Sequence, residues 1–175
     1  MNTKPHGPRR SFEKVADIIR DAGGRIVGRT RLQKIIYILE VAGLGEGFSF
    51  EYRHYGPYSE DLASATRLAA ILDLISEDEQ PSSWGGHYSI YTVRSAGDVN
   101  VDRQEIARAA VAADPIELEL AATALFLARE GEKEPWSETA RRKPDKAAGG
   151  RVKQAQSLYE RLRRARTPVP LPQIA

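Results

Sequence analysis

Apolar residues recur every three or four positions along much of the chain, and this spacing predicts a mostly helical protein. Residues 11–22 form the first helical segment, which is stopped by two glycines. A second begins at Thr30, because Thr30 and Gln33 have the spacing of a capping box, in which each side chain bonds the other residue's backbone amide. The buried stripe of this helix is predicted to contain Leu32, Ile35, Ile36 and Leu39.

The helical pattern continues further along the chain. Ser59 is a suitable N-cap, since two acids follow it in the first turn, where the helix dipole favours them. Asp114 is another, because it precedes a proline at the first helical position. The predicted helices after the second are residues 59–75, 102–113, 114–130, 136–142 and 152–165.

Two segments change to a period of two, which is typical of strands. Phe48 to Tyr55 is predicted as a short strand or extended arm that ends in a turn at Gly56-Pro57. Residues 74–93 are predicted as a hairpin, with its turn in the segment 80–86.

These elements predict a mainly α protein with a small β hairpin, which is an α+β class. The order helix, helix, arm, helix, hairpin is close to that of a winged-helix module, so a compact winged-helix-like helical domain is expected. Residues 11–166 are predicted to form this single domain. Flexible tails are predicted at 1–10 and, because it is rich in proline, at 167–175.

The amino-acid composition limits the chemistry and the cellular location that can be expected. The 175 residues include no cysteine, which excludes a disulfide framework and a thiolate metal site. The longest apolar stretch, Ile35 to Leu39, is much shorter than the roughly 20 residues that span a bilayer, and no signal peptide is recognisable. A cytoplasmic location without a membrane partner is therefore expected.

Charge is segregated along the chain although the net charge is only +2. Residues 1–34 carry nine basic groups against three acids, residues 40–80 carry nine acids against two arginines, and residues 141–166 carry ten basic groups against two acids. The basic regions suggest a nucleic-acid surface or faces that are merely solvated. The acidic start of the helix at Ser59 disfavours DNA binding through that helix. The candidate nucleic-acid-binding residues are Arg25, Arg29, Arg31, Lys34, Arg161, Arg163 and Arg164.

No catalytic, cofactor-binding or metal-binding constellation is recognisable. His6, His54 and His87 are far apart in the sequence and have no partner at ligand spacing, which disfavours zinc. The glycine-rich segment 43–47 lacks the Lys-Ser/Thr ending of a phosphate loop, and no serine lies in a nucleophile elbow. A non-enzymatic protein without a cofactor is expected, and an enzyme with an unfamiliar site stays as an alternative.

An aromatic run surrounds the predicted Gly56-Pro57 turn. Tyr52, His54, Tyr55 and Tyr58 are candidate partner-binding residues, because aromatic side chains with polar tips are favoured as interface anchors. The alternative is architectural, with the rings packing the turn against the core.

Two sequence motifs resemble a known family. Arg31-Leu32-Gln33-Lys34-Ile35-Ile36-Tyr37-Ile38 and Tyr55-Gly56-Pro57-Tyr58-Ser59 resemble segments of the YwgA-like proteins and, more distantly, of the Panacea domain of SocA-like antitoxins. Trp136 and Lys143-Pro144 add to the resemblance, which spans most of residues 12–162.

The resemblance implies a compact helical domain with a small β element and no known enzymatic activity. In the antitoxin branch it implies a module that neutralises a toxin encoded nearby by binding it directly. The expected function is thus a non-enzymatic protein-interaction module, antitoxin-like or regulatory. The alternative is a winged-helix-type regulator that binds nucleic acid.

Overall fold

The computed structural model describes residues 9–175 of the chain. The helices in this range are α1 (Ser11–Asp21), α2 (Arg29–Val41), α3 (Glu60–Ile71), α4 (Val101–Ala112), α5 (Pro115–Arg129), α6 (Pro135–Arg142), α7 (Pro144–Ala147) and α8 (Arg151–Arg163). The strands are β1 (Arg25–Val27), β2 (Glu51–Arg53), β3 (Gly56–Tyr58), β4 (Ile75–Pro81) and β5 (His87–Val93). The predicted α+β class, mainly helical with a small antiparallel sheet, is confirmed.

The first half of the fold has the element order of a winged helix. A three-stranded antiparallel sheet has the order β1-β5-β4, with Ile26 opposite Tyr91 and Asp78 opposite Ile90. The two long strands form the predicted hairpin, whereas β1 was not predicted. Three residues between glycines are too few to show a period in the sequence, and this strand exists because β5 supplies its hydrogen-bond partners.

The predicted arm at Phe48 to Tyr55 is corrected in position. Its strand is only β2, which pairs with β3 so that Tyr52 lies opposite Pro57. We call residues 51–58 the aromatic hairpin. Its turn lies at His54 and Tyr55, and Gly56 starts the return strand with a φ of 90°.

The core lies around α5, which is nearly apolar on every face and contacts α2, α6, α8 and β3. Its buried residues form one continuous cluster with α1, α2 and the sheet. The predicted stripe of α2 belongs to this cluster, with Leu32, Ile35 and Leu39 at most 3% exposed.

The predicted start of α2 is wrong by two positions. Gly28 is the N-cap, and Thr30 lies inside the helix. Gln33 does not complete a capping box, because its side chain bonds the backbone of Ser59 instead.

The two predicted tails have different outcomes. Residues 1–8 of the predicted N-terminal tail lie outside the described residues, and Arg9 already pairs with Asp17 and Glu46. The flexible tail predicted at 167–175 is corrected, because Leu171 and Ile174 are buried in the core and the Val169 amide donates to the Ala42 carbonyl. Alternating prolines resemble a linker in sequence, but here apolar residues between them pack on the domain.

Candidate interaction site

Two neighbouring side chains of α2 hold the aromatic hairpin by its backbone. The Gln33 amide donates to the Ser59 carbonyl at 3.0 Å and accepts from the Ser59 amide at 2.8 Å, as a paired strand would. One position later, the Lys34 ammonium donates to the Pro57 carbonyl at 2.7 Å. These bonds fix the end of the hairpin and the start of α3, since Ser59 also caps that helix through the Leu62 amide.

Lys34 is buried to an unusual degree for a cation, with 1% of the residue exposed. Burial lowers the pKa of Lys34 to about 7, and the ammonium groups of Lys143 and Lys146 act in the same direction, whereas the Glu119 carboxylate opposes them. In the folded protein Lys34 therefore releases its proton at a lower pH than an exposed lysine does.

A second buried lysine bonds the backbone of the hairpin at its turn. The Lys143 ammonium donates to the His54 carbonyl at 3.2 Å and to the Glu119 carboxylate at 2.8 Å. Glu119 also accepts from Lys146 at 2.7 Å. The side chains of Glu119 and Lys143 are each 5% exposed, so this ion pair lies largely out of water.

The hairpin backbone also approaches α5 very closely. A β-carbon placed on Gly56 would come within 2.4 Å of the Thr123 hydroxyl oxygen. Since this contact adds to the positive φ, both space and conformation require glycine at position 56.

The four predicted partner-binding residues all lie on this hairpin, but they differ in exposure. Tyr52 and Tyr58 are half-buried: the Arg142 guanidinium lies 4.8 Å from the ring of Tyr52, whose other neighbour is Phe126. His54 and Tyr55 form the exposed tip, with their rings edge to face at 4.7 Å. Tyr55 is 52% exposed.

The structure does not bring the predicted nucleic-acid-binding residues together. Arg31 donates to the carbonyls of Val111 and Ala113, so it holds the end of α4, and burial lowers its pKa. Since Lys34 is also buried, the prediction of an exposed basic face on α2 is wrong. An amphipathic pattern does not exclude a buried cation whose hydrogen-bond partner comes from another segment.

The other predicted basic residues lie in two parts of the fold. Arg25 is exposed in β1, and Arg29 pairs with Glu77 and Glu79, with Glu77 the first cause of its raised pKa. In α8, Arg163 pairs with Glu160, whereas Arg161 in α8 and Arg164 directly after it are exposed and make no ion pair within residues 9–175.

Sequence reasoning did not single out Glu119, and it placed Lys34 on the surface. A signal for Glu119 was present, because an acid inside the nearly all-apolar segment 118–128 must be buried with the rest of that helix and needs a cation.

Among the described residues, no group of three or more histidine, aspartate or glutamate side chains is arranged to hold a metal ion. Nor does any helix in that range have the length and apolarity to cross a membrane.

The fold and site define a winged-helix-like α+β domain that carries an aromatic hairpin held by buried cations. Over 94 residues the chain is 28% identical to the uncharacterized protein YwgA of Bacillus subtilis (strain 168). The match covers 53% of this chain and 55% of that relative, so the chain spans about half the length of the curated relative it matches. No protein-family model matches the chain. The resemblance to YwgA-like proteins is confirmed, whereas the distant one to the Panacea domain stays a prediction.

The lowered pKa of Lys34 predicts a distinctive pH dependence of stability. From about pH 7 to about pH 10.5 the folded protein has released a proton that the unfolded chain still binds, so the free energy of unfolding rises with pH. Over this range the free energy of unfolding of the wild type should rise by roughly 3 to 5 kcal/mol relative to that of Lys34→Met. Urea unfolding across the range measures it. The variant Lys153→Met, at an exposed lysine, should show the same pH dependence of stability as the wild type. The same pH dependence in Lys34→Met would contradict the conclusion that Lys34 causes it.

Proposed function

We propose that this chain is a non-enzymatic protein-interaction module whose contact element is the aromatic hairpin. The observation that carries the proposal is how the hairpin is held. Buried Lys34 and Lys143, together with Gln33, bond backbone atoms of the hairpin and of Ser59. Burying two ammonium groups is costly. A short turn that only connected two elements would not need such support, so the support favours a contact surface that must keep its shape.

The tip of the hairpin has the chemistry of an interface anchor. Tyr55 and His54 combine apolar rings with polar groups, and they are exposed on a backbone that is already ordered. A preorganised aromatic side chain loses little conformational entropy when a partner covers it, so most of its contact energy contributes to affinity.

The proposal predicts that tip variants lose binding but keep stability. The probe is the product of the adjacent gene, co-expressed with this chain and measured by co-purification and titration. Tyr55→Ala should weaken binding about tenfold or more, with an unfolding midpoint close to that of the wild type. Trp84→Ala is the matched control, because Trp84 is an exposed aromatic residue in the β4–β5 turn, outside the aromatic hairpin.

The partner proposed for this hairpin is a toxin encoded nearby, following the distant Panacea resemblance. Co-expression of the chain should then restore growth to cells that produce the toxic neighbour, and Tyr55→Ala should restore it less. A chain that stays alone during purification and rescues no cells would contradict both the partner and the module.

Nucleic-acid binding is the second candidate function, and the winged-helix element order favours it. On this alternative the exposed Arg161 and Arg164 would contact phosphates, so duplex binding would fall steeply with salt and the double variant Arg161→Glu/Arg164→Glu would weaken it about tenfold or more. Titration of a labelled duplex at low and physiological salt tests this. The acids of α3 and β4 disfavour it, and no duplex binding at low salt would end it.

A further inference from the structure

The segment 167–175 forms no helix or strand, yet it is seated on the helical domain. We call these residues the proline segment, because prolines stand at positions 168, 170 and 172. The side chains of Leu171 and Ile174 are buried in the core, whereas residues 168–170 are exposed. Two apolar anchors three positions apart therefore hold a segment that is otherwise largely exposed.

Two side chains of α8 bind the backbone of the proline segment. The Tyr159 hydroxyl donates to the Pro172 carbonyl at 2.6 Å, and the Arg163 guanidinium donates to the Leu171 carbonyl at 3.3 Å. The ring of Tyr159 is held in place by the domain, since it is 1% exposed and packs edge to face against Trp136 at 6.1 Å. Donors that bind carbonyls do not select the side chains between the anchors.

The C-terminal end of α2 contacts the same segment. Ala42 is the C-cap of α2, and the last carbonyls of a helix have no partner within the helix. The Ala42 carbonyl accepts instead from the Val169 amide at 3.0 Å. A β-carbon on Gly43 would come within 2.9 Å of the Val169 side chain, so the glycine permits this close approach. We call Ala42, Gly43, Tyr159 and Arg163 the segment groove.

We propose that the segment groove is a binding site for an extended, proline-containing segment of a partner protein, with two aliphatic side chains three positions apart. The proline segment occupies this site in cis and shows which chemistry fits it. Prolines keep a peptide extended before it binds, so docking costs little conformational entropy, and aromatic-lined grooves bind such peptides. No residue of the segment groove belongs to the aromatic hairpin, so this site goes beyond the interaction proposed above.

The contacts of the proline segment are few enough to allow exchange. The three hydrogen bonds and two anchors hold nine residues without a helix or strand, and segments of this kind open locally while the core stays folded. A second copy of this chain would offer an identical segment, which gains nothing over the one seated in cis at a high local concentration. A partner segment can displace it by adding contacts of its own.

Hydrogen exchange of the wild type tests whether the proline segment opens separately from the core. The Val169 amide should exchange about tenfold or more faster than amides in the middle of α5, whose exchange requires unfolding of the core. Protection equal to that of α5 would show that the segment is an inseparable part of the core. No protection at all would show that it is not seated, and either result overturns the proposal.

The probe for binding is a labelled synthetic peptide with the sequence of residues 166–175, titrated against the full chain. It should bind the double variant Leu171→Ser/Ile174→Ser about tenfold or more tighter than the wild type, whose own segment competes in cis. The same peptide with serine at both anchors should not bind. Adding Tyr159→Phe to the double variant removes a donor and should weaken binding about three- to tenfold. Adding Tyr55→Phe, at an exposed tyrosine of the aromatic hairpin, should not change it.

Ile174→Ser alone loosens the proline segment with a smaller change, and it should also bind the peptide more tightly than the wild type does. Circular dichroism checks that the variants are folded. Three results overturn the proposal: unfolding of both variants, binding no tighter than that of the wild type, or a concentration-dependent dimer of the wild type that the double variant abolishes. The hairpin variant Tyr55→Ala should behave like the wild type, so the two surfaces can fail or succeed separately.

Discussion

Replacing Gly56 with alanine is expected to lower the free energy of unfolding by about 2 to 5 kcal/mol. Its φ of 90° is unfavourable for any residue with a β-carbon, and the new methyl group would overlap the Thr123 hydroxyl. Gly47→Ala is the matched control, because Gly47 has a φ of 93° and no atom within 4 Å of an added β-carbon. This control should lower the free energy of unfolding by about 1 to 2 kcal/mol, which is the conformational contribution alone. Urea unfolding of both variants gives the comparison.

A second substitution isolates the close contact between the hairpin and α5. Thr123→Ala removes the hydroxyl, whose own hydrogen bond goes only to the Glu119 carbonyl in the same helix. Because the overlap is then relieved, the double variant Gly56→Ala/Thr123→Ala should be more stable than the two single effects predict, by about 1 to 2 kcal/mol. Equal costs at Gly56 and Gly47, or strict additivity with Thr123, would show that the contact does not constrain the hairpin.

Glu119→Gln is expected to cost about 3 to 5 kcal/mol, because it leaves the Lys143 ammonium buried without a counter-charge. The amide has nearly the same shape, so the loss would be electrostatic. Glu160→Gln is the control: Glu160 also pairs with a cation, Arg163, but its side chain is 48% exposed, and exposed pairs contribute about 0 to 1 kcal/mol. Denaturant unfolding at neutral pH measures both.

Removing both charges should reverse most of this loss. Buried ion pairs replaced on both sides by uncharged groups are often close to neutral in stability, so Glu119→Gln/Lys143→Met should lie nearer the wild type than Glu119→Gln alone. The double variant also lacks the bond from Lys143 to the His54 carbonyl. A double variant as unstable as the single one would contradict an electrostatic origin of the loss.

Both predictions test how the rest of the fold holds the aromatic hairpin in its shape. The tip residues His54 and Tyr55 lie on a two-stranded hairpin of six paired residues, which is too short to be stable by itself. Its shape depends on α2, α5 and the α6–α7 junction, each of which contributes a buried side chain or a close contact. Variants that loosen these contacts should therefore weaken partner binding together with stability, whereas Tyr55→Ala should change binding alone.

The sequence by itself determined most of the helices, the β4–β5 hairpin and the aromatic segment, because those features are local. Helical periodicity, caps such as Ser59 and Asp114, and the turn-rich segment 80–86 are set by residues a few positions apart. The motifs around Lys34 and Gly56 also sufficed to indicate the YwgA-like resemblance, which the match to YwgA confirms.

Only the tertiary structure decided what the polar residues do. The amphipathic pattern of α2 predicts that Lys34 and Arg31 are exposed, but Lys34 bonds the Pro57 carbonyl and Arg31 bonds the Val111 carbonyl, each more than 20 positions away, in addition to the nearby Val27 carbonyl. Gln33 had a local capping partner in Thr30, yet it bonds Ser59. A buried polar group is stable only where a partner meets it, and that meeting depends on how distant segments pack, which no local pattern records.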